Sequence, residues 1–350
     1  MTPGELIAAL LAGAWRPEPP PLPPAVVADP AAALGSAVSD VLLSTGAGPL
    51  TWWRMRNTSL RDHPAVVPFQ VAYRSAALQS LLHGAALEAL LAQFAEQDVR
   101  PLLVKGWGAA RVYPEAGLRP YDDFDFYVLP EQRPAAKAVV ESFRHPAGVA
   151  IELHEDYNFP FDIALEALFG AGCTLSCGRG QVLVPAPEHH LRLLCLHMLY
   201  HGGWRPLWLS DLGAFVEAHP HLDPARILTG NQPADSWVAG ALLLARDLLG
   251  ARLSAELAGA LPAVAPTWLG PALTRQWASA IGSSAQPSLV RTLCRSWPNL
   301  GDMSEAIRLR WQNPLEASLE VGAPFDEADR FPVQVRAALY RLARRTTGRR

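Results

Sequence analysis

The chain has little cysteine, little net charge and no long apolar run. Four cysteines in 350 residues, Cys173, Cys177, Cys195 and Cys294, are too few for a disulfide framework. Reduced thiols are expected, and the Cys173 and Cys177 pair, with no second pair to complete a zinc knuckle, reads as structural. Charged residues make up 18% of the chain, and 30 basic against 33 acidic residues leave a formal charge of −3, so no overall field gathers nucleic acid or anionic membrane. A nucleic-acid partner is therefore not expected. The opening MTPGELIAALLAG lacks the basic n-region of a signal peptide. The most apolar later stretch, Trp237 to Gly250, is interrupted by Arg246 and Asp247 and falls short of the ~20 residues that a membrane span requires. The expectation is a cytoplasmic protein with no membrane partner. What the chain does have is apolar residues, at 50%, and enough length to bury one large core or several smaller ones.

Its texture changes twice. Thr2 to Glu5 has the form of a capping box, and Leu6, Ile7, Leu10 and Leu11 follow at helical spacing. The run RPEPPPLPP from Arg16 to Pro24 cannot donate backbone hydrogen bonds at its prolines, so it is expected to form an extended linker that sets the first helix apart. Leu78, Leu81, Leu82, Leu90, Leu91 and Phe94 then give a helical stripe. From Val99 the short runs PLLVKG, DFDFYVL and VAIELHEDY, rich in branched and aromatic residues, predict strands. After Pro187 the helical period returns and persists towards the Arg-rich end. The pattern predicts an α+β protein: a helical N-terminal region over residues 1–97, a small mixed sheet over 98–185 and a helical C-terminal region over 186–350.

In DDFDFYV the side chains of a strand alternate faces, so Asp123 and Asp125 share one face while Phe124 and Phe126 enter the core. Two converging carboxylates repel unless a cation neutralises them, and Mg²⁺ takes one or two carboxylates together with substrate phosphates. IELHED repeats the alternation and offers Glu152, with His154 on the same face, if its strand lies alongside. Upstream, LLVKGWG reads as a buried strand, a glycine turn at Gly106 and Gly108, and a helix beginning near Trp107. Such a turn lets backbone N–H groups approach phosphate oxygens. A DxD pair alone reads more simply as a polar strand end, and the glycines alone as an ordinary strand-to-helix turn.

Taken together, LLVKGWGAARVYPEAGLRPYDDFDFYV resembles the signature region of an uncharacterised nucleotidyltransferase family within the polymerase-beta-like superfamily. GAGPLTWWRMR, IELHEDY and LLCLHMLYHGGWRPLWLSDLGAF resemble its other blocks, so the likeness spans roughly residues 45 to 220. It implies a catalytic glycine turn at Gly106, metal ligands at Asp123 and Asp125, a third carboxylate at Glu152, a pair of Mg²⁺ ions and an NTP substrate. The acceptor, whether small molecule, peptide or protein, is not legible. The chain departs from the superfamily pattern in placing Trp107 directly after Gly106 and in spacing that glycine further from the DxD. Lys105 and Arg119 read either as contacts to the nucleotide phosphates or as charges that reach solvent.

On the helix that follows Pro187, His190, His197 and His201 fall on one side at about 100° per residue. The sequence HMLYH lacks the glutamate of HExxH, which argues against a histidine-based metal hydrolase. His197 and His201 are instead expected to face the carboxylate-bearing sheet as one wall of an acceptor site that includes His154 and Asp211, the latter able to hydrogen-bond one of the histidines. Trp52, Trp53, Trp204 and Trp208 read as packing residues, and Arg341, Arg344, Arg345, Arg349 and Arg350 as a solvated basic tail. The rival of a different class is a catalytically silent nucleotide-binding or regulatory module of the same fold.

Overall fold

The computed structural model describes residues 1–154, 162–278 and 313–347; Cys294, Arg349 and Arg350 lie outside the described residues. The capping box at the start is formed: Thr2 N donates to Glu5 Oε2 at 2.7 Å and Glu5 N donates to Thr2 Oγ1 at 3.3 Å, opening the helix Pro3–Leu11. The proline run that follows does not set this helix apart. Arg54 of the helix Gly48–Met55 donates to the carbonyls of Ala9 at 2.6 Å, Leu10 at 2.9 Å and Pro20 at 2.8 Å, strapping the run back onto the first helix. One guanidinium thereby satisfies carbonyls that prolines leave without partners nearby.

Five strands form one mixed sheet: β1 (Leu102–Val104), β2 (Asp123–Tyr127), β3 (Ala150–His154), β4 (Cys173–Cys177) and β5 (Gly180–Val184), in the order β3-β2-β1-β5-β4. β2 pairs antiparallel with β1 and parallel with β3, while β5 runs parallel to β1 and antiparallel to β4. Leu103, Phe124 and Phe126 on one face pack against Leu87, Leu90 and Phe94 of the long helix Val67–Glu96 and Ala136 and Val139 of the helix Arg133–Ser142. Burying each phenylalanine contributes roughly 1.5–3 kcal/mol, which anchors the strand that carries both aspartates. On the other face Leu102, Val104 and Tyr127 meet Leu168 and Leu193, the latter from the helix Pro187–Tyr200.

The largest core joins helices from both ends of the chain, with Leu10, Leu50, Leu212, Trp237 and Leu273 in one cluster. The two helical regions thus share a core rather than flanking the sheet independently. The leucine stripe of the long helix divides: Leu90, Leu91 and Phe94 are buried, whereas Leu78, Leu81 and Leu82 face solvent. Helical spacing alone does not tell which part of a 30-residue helix is covered. No described helix is long and apolar enough to cross a membrane.

Candidate active site

The end of β1 places the first candidate side chain by an unusual backbone. Lys105 sits at φ 55° and ψ −125°, a conformation that L side chains rarely adopt, and Gly106 opens the short helix Gly106–Ala110 directly after it. A Cβ at Gly106 would lie 3.3 Å from the Asp123 carbonyl oxygen, so glycine is what lets this turn press against the start of β2. The turn aims Lys105 across the sheet, where its Nζ lies 3.0 Å from Asp125 Oδ1.

Asp123 and Asp125 emerge on the face opposite Phe124 and Phe126, as the alternation requires. In the parallel ladder Asp125 is in register with Glu152, and Tyr127 with His154. His154 Nε2 lies 2.7 Å from Asp125 Oδ1 and 3.6 Å from Glu152 Oε2, and its ring stacks on Tyr127 with centroids 4.9 Å apart. One ligand atom each of Asp125, Glu152 and His154 falls within 4.8 Å of the others, a grouping that could hold a metal ion.

The two aspartates differ electrostatically. Burial pushes the Asp125 carboxyl up, but the His154 hydrogen bond and the Lys105 ammonium outweigh it and bring the group down to about 2. Asp123 is raised, first by burial and then by the negative charges of Asp125 and Glu152, with Lys105 and Arg119 opposing. The surplus of negative charge felt at Asp123 is what a divalent cation would relieve. Oxygen donors from two adjacent strands suit a hard ion.

Across from the carboxylates stand the helices that follow Pro187. His197 and His201 line the same cleft as Asp123, Asp125 and Glu152, a cavity of about 570 Å³. Their rings lie 4.6 Å apart, and the His197 ring is 5.0 Å from that of Trp208. Burial first, then the positive charge of Lys105, holds both imidazoles below their ordinary value, His197 well below it. These two imidazoles are therefore neutral near pH 7.

Arg119 also lines the cleft, and its position is fixed from behind: Asp211, buried, accepts from its Nη2 at 3.0 Å and from the Tyr113 hydroxyl at 2.8 Å. Asp211 thus holds an arginine rather than a histidine, and it is not part of the cleft lining. Gly108 does not line the cleft either. A Cβ there would lie 2.7 Å from Cε1 of His190, so this glycine gives room to a buried imidazole. His190 accordingly leaves the stripe formed by His197 and His201 and packs against Phe215, with ring centroids 5.2 Å apart.

Among the cleft residues that the sequence analysis did not assign to the site are Trp204, Arg205 and Trp208. Gly202 and Gly203, at φ 72° and 64°, end the Pro187–Tyr200 helix and turn the chain back, so the next residues return to the cavity that His197 already faces. The adjacent glycines in HGGWR were the available signal. Trp52 and Trp53 lie in the helical core.

No curated protein matches the chain. A solved structure that it resembles is an antigenic nucleotidyltransferase-like protein from Paracoccidioides brasiliensis, 15% identical, covering 51% of this chain and 95% of that one, with a TM-score of 0.38. A family described as uncharacterised nucleotidyltransferases matches residues 44–250, which include the glycine turn, all three carboxylates and the histidine wall. The chain belongs to that uncharacterised nucleotidyltransferase family.

Proposed function

We propose that the cleft transfers a nucleoside monophosphate from an NTP to a hydroxyl-bearing acceptor in a Mg²⁺-dependent reaction. The observation that carries this reading is the convergence of Asp123 and Asp125 on β2 with Glu152 on the neighbouring strand β3, facing a cavity of about 570 Å³. Such a volume lies within the range of small-molecule sites, roughly 300–1,000 Å³.

Asp123, Asp125 and Glu152 are the residues that would hold Mg²⁺. When bound, the ion neutralises phosphate charge and polarises the phosphorus that is attacked. Glu152, with a side chain 55% exposed, would accept the proton of the acceptor hydroxyl. The acceptor oxygen forms a bond to the α-phosphorus, the bond from that phosphorus to the α–β bridging oxygen breaks, and pyrophosphate carries away the electron pair. Lys105 and Arg119 add positive charge where the leaving group develops its own negative charge. His197 and His201, neutral and on the opposite wall, offer hydrogen bonds to the acceptor without competing for the metal's charge. That acceptor, a small molecule, peptide or protein, is identified by labelling.

NTP with Mg²⁺ is expected to raise the melting temperature, since a ligand bound only by the folded state stabilises it by mass action. No shift with any of the four common NTPs, at concentrations up to millimolar, would contradict the assignment.

A further inference from the structure

Two arginines line the cleft, and they are not equivalent. Arg119 is paired with a carboxylate that grips it through two nitrogens: Asp211 takes Nε at 3.2 Å and Nη2 at 3.0 Å. Arg205 has no such partner. Its Nε donates to the Thr45 carbonyl at 3.3 Å, and among the described residues its two terminal nitrogens have neither a hydrogen-bond nor an ion-pair partner. The guanidinium is held in place by aromatic rings, with its central carbon 5.6 Å from the Trp204 centroid and 5.4 Å from that of Trp208. Burial and the like charge of Arg119 both disfavour the cation here, and the carboxylates of Asp122, Asp211 and Asp123 oppose them without bonding to it. A partly buried arginine beside a second one, lining a cavity with its terminal donors unpaired among the described residues, is an arrangement that a bound anion would stabilise.

The position of Arg205 says which anion. A Cβ at Gly46 would lie 3.3 Å from Pro120 Cγ and 3.4 Å from Arg205 Nη2, which puts the Arg205 fork beside the segment leading into β2. Arg119 donates to the Pro120 carbonyl at 3.2 Å, and Gly106 abuts Tyr121 and the Asp123 carbonyl. Arg205, Arg119 and Gly106 therefore gather at the start of β2. Glu152 and His154 lie on the edge strand β3, on the other side of the aspartates. A substrate whose α-phosphate sits at Asp123 and Asp125 can direct its remaining phosphates towards the first group and present its α-phosphorus to the second.

Resting on the nucleotidyl-transfer reading, we infer that Arg205 binds the polyphosphate tail of the NTP beyond its α-phosphate, and so selects nucleoside triphosphates over monophosphates. The shared chemistry is a phosphate oxyanion, and a phosphorylated acceptor would be its other source. Trp204, 37% exposed, and Trp208 flank the guanidinium and restrict where it can point. A lysine in its place would keep the charge and lose the planar fork.

The test is calorimetry of the full chain with Mg²⁺-tripolyphosphate, with each NTP and with each nucleoside monophosphate, on the wild type, Arg205→Lys and Arg205→Met. Both substitutions are expected to weaken tripolyphosphate and NTP binding by roughly 10- to 100-fold, the loss of one or two charge-assisted bonds, and to leave monophosphate binding unchanged. A second measurement needs no variant: tripolyphosphate is expected to protect Arg205 of the wild type from phenylglyoxal, read by peptide mapping, whereas a monophosphate is not. Wild-type affinity in both variants, equal loss of monophosphate binding, or unprotected Arg205 would each overturn the inference while leaving nucleotidyl transfer intact. A wild type that binds no NTP and no tripolyphosphate would overturn both.

Discussion

Asp211 grips Arg119 through Nε at 3.2 Å and Nη2 at 3.0 Å, both residues buried, and so ties the segment before β2 to the helix Pro206–Ala218. The pair joins the sheet that carries the carboxylates to the wall that carries the histidines. Removing one partner leaves a buried charge without compensation. Asp211→Asn is expected to cost about 3–5 kcal/mol in urea unfolding, and Tyr113→Phe, which removes only a neutral donor to the same carboxylate, about 1 kcal/mol. Equal, small losses in the two variants would show that the pair does not hold the two parts together.

The two aspartates are expected to differ in what they do to the unliganded protein. Asp125 is satisfied by Lys105 and His154, so Asp125→Asn strips two charge-assisted bonds and lowers stability by roughly 2 kcal/mol. Asp123 is raised by burial and by the charges of Asp125 and Glu152, so Asp123→Asn relieves repulsion and is expected to raise stability, by up to about 1 kcal/mol after solvent screening. Melting temperatures of the metal-free variants check the opposite signs. A fall in both, by the same amount, would contradict the electrostatic account.

The two glycines of the turn separate binding from packing. At Gly108 an added methyl meets the His190 ring at 2.7 Å, and Gly108→Ala is expected to cost about 1–3 kcal/mol of stability by overpacking. At Gly106 the nearest atom, the Asp123 carbonyl oxygen, is at 3.3 Å, so a methyl there shifts the turn by only a few tenths of an ångström. Gly106→Ala should keep the fold and weaken NTP binding by crowding the backbone approach to phosphate. Calorimetry beside thermal melting distinguishes them, and full NTP affinity in Gly106→Ala would place the triphosphate elsewhere.

His190 gives the pH dependence its sign. Burial, then the positive charges of its neighbours, brings this imidazole from 6.5 down to about 3 in the folded protein. The unfolded chain takes up the proton first, so the stability that His190 contributes is complete above pH 6.5 and is lost as pH falls towards 3. Each such histidine should make unfolding easier by about 1.4 kcal/mol per pH unit in that window, and His197 shifts in the same direction. Urea titrations between pH 7 and 5 should show that slope, reduced by one proton in His190→Phe. An unchanged slope in the variant would mean that His190 titrates normally.

Much of the site was legible because its parts are local. The strand alternation of DDFDFYV placed Asp123 and Asp125 on one face, and the glycine turn placed Lys105 and Gly106 before it. Asp125 lying opposite Glu152 needed a parallel pairing of β2 with β3, which was expected only as a condition and which periodicity within either strand does not specify. Helical angle put His190 in one stripe with His197 and His201 but could not tell that Gly108 would cover His190 and leave only the other two in the cleft. Arg205 stayed hidden because its meaning comes from partners distant in the chain, Thr45 and Pro120. The proline run was misjudged for the same reason: Arg54, far along the sequence, supplies the donors that hold it.

The central claim is that Asp123 and Asp125 support transfer of a nucleoside monophosphate, and labelled transfer tests it most directly. The full chain is incubated with Mg²⁺, NTPs labelled at the α-phosphorus and a cell extract that supplies acceptors, and products are followed together with pyrophosphate. The account predicts that label moves to an acceptor as pyrophosphate appears, and that both are lost in Asp123→Asn and Asp125→Asn, each of which remains folded. Label transfer that persists in either variant, or a wild type that binds Mg²⁺-NTP yet releases no pyrophosphate with any extract fraction, would contradict it.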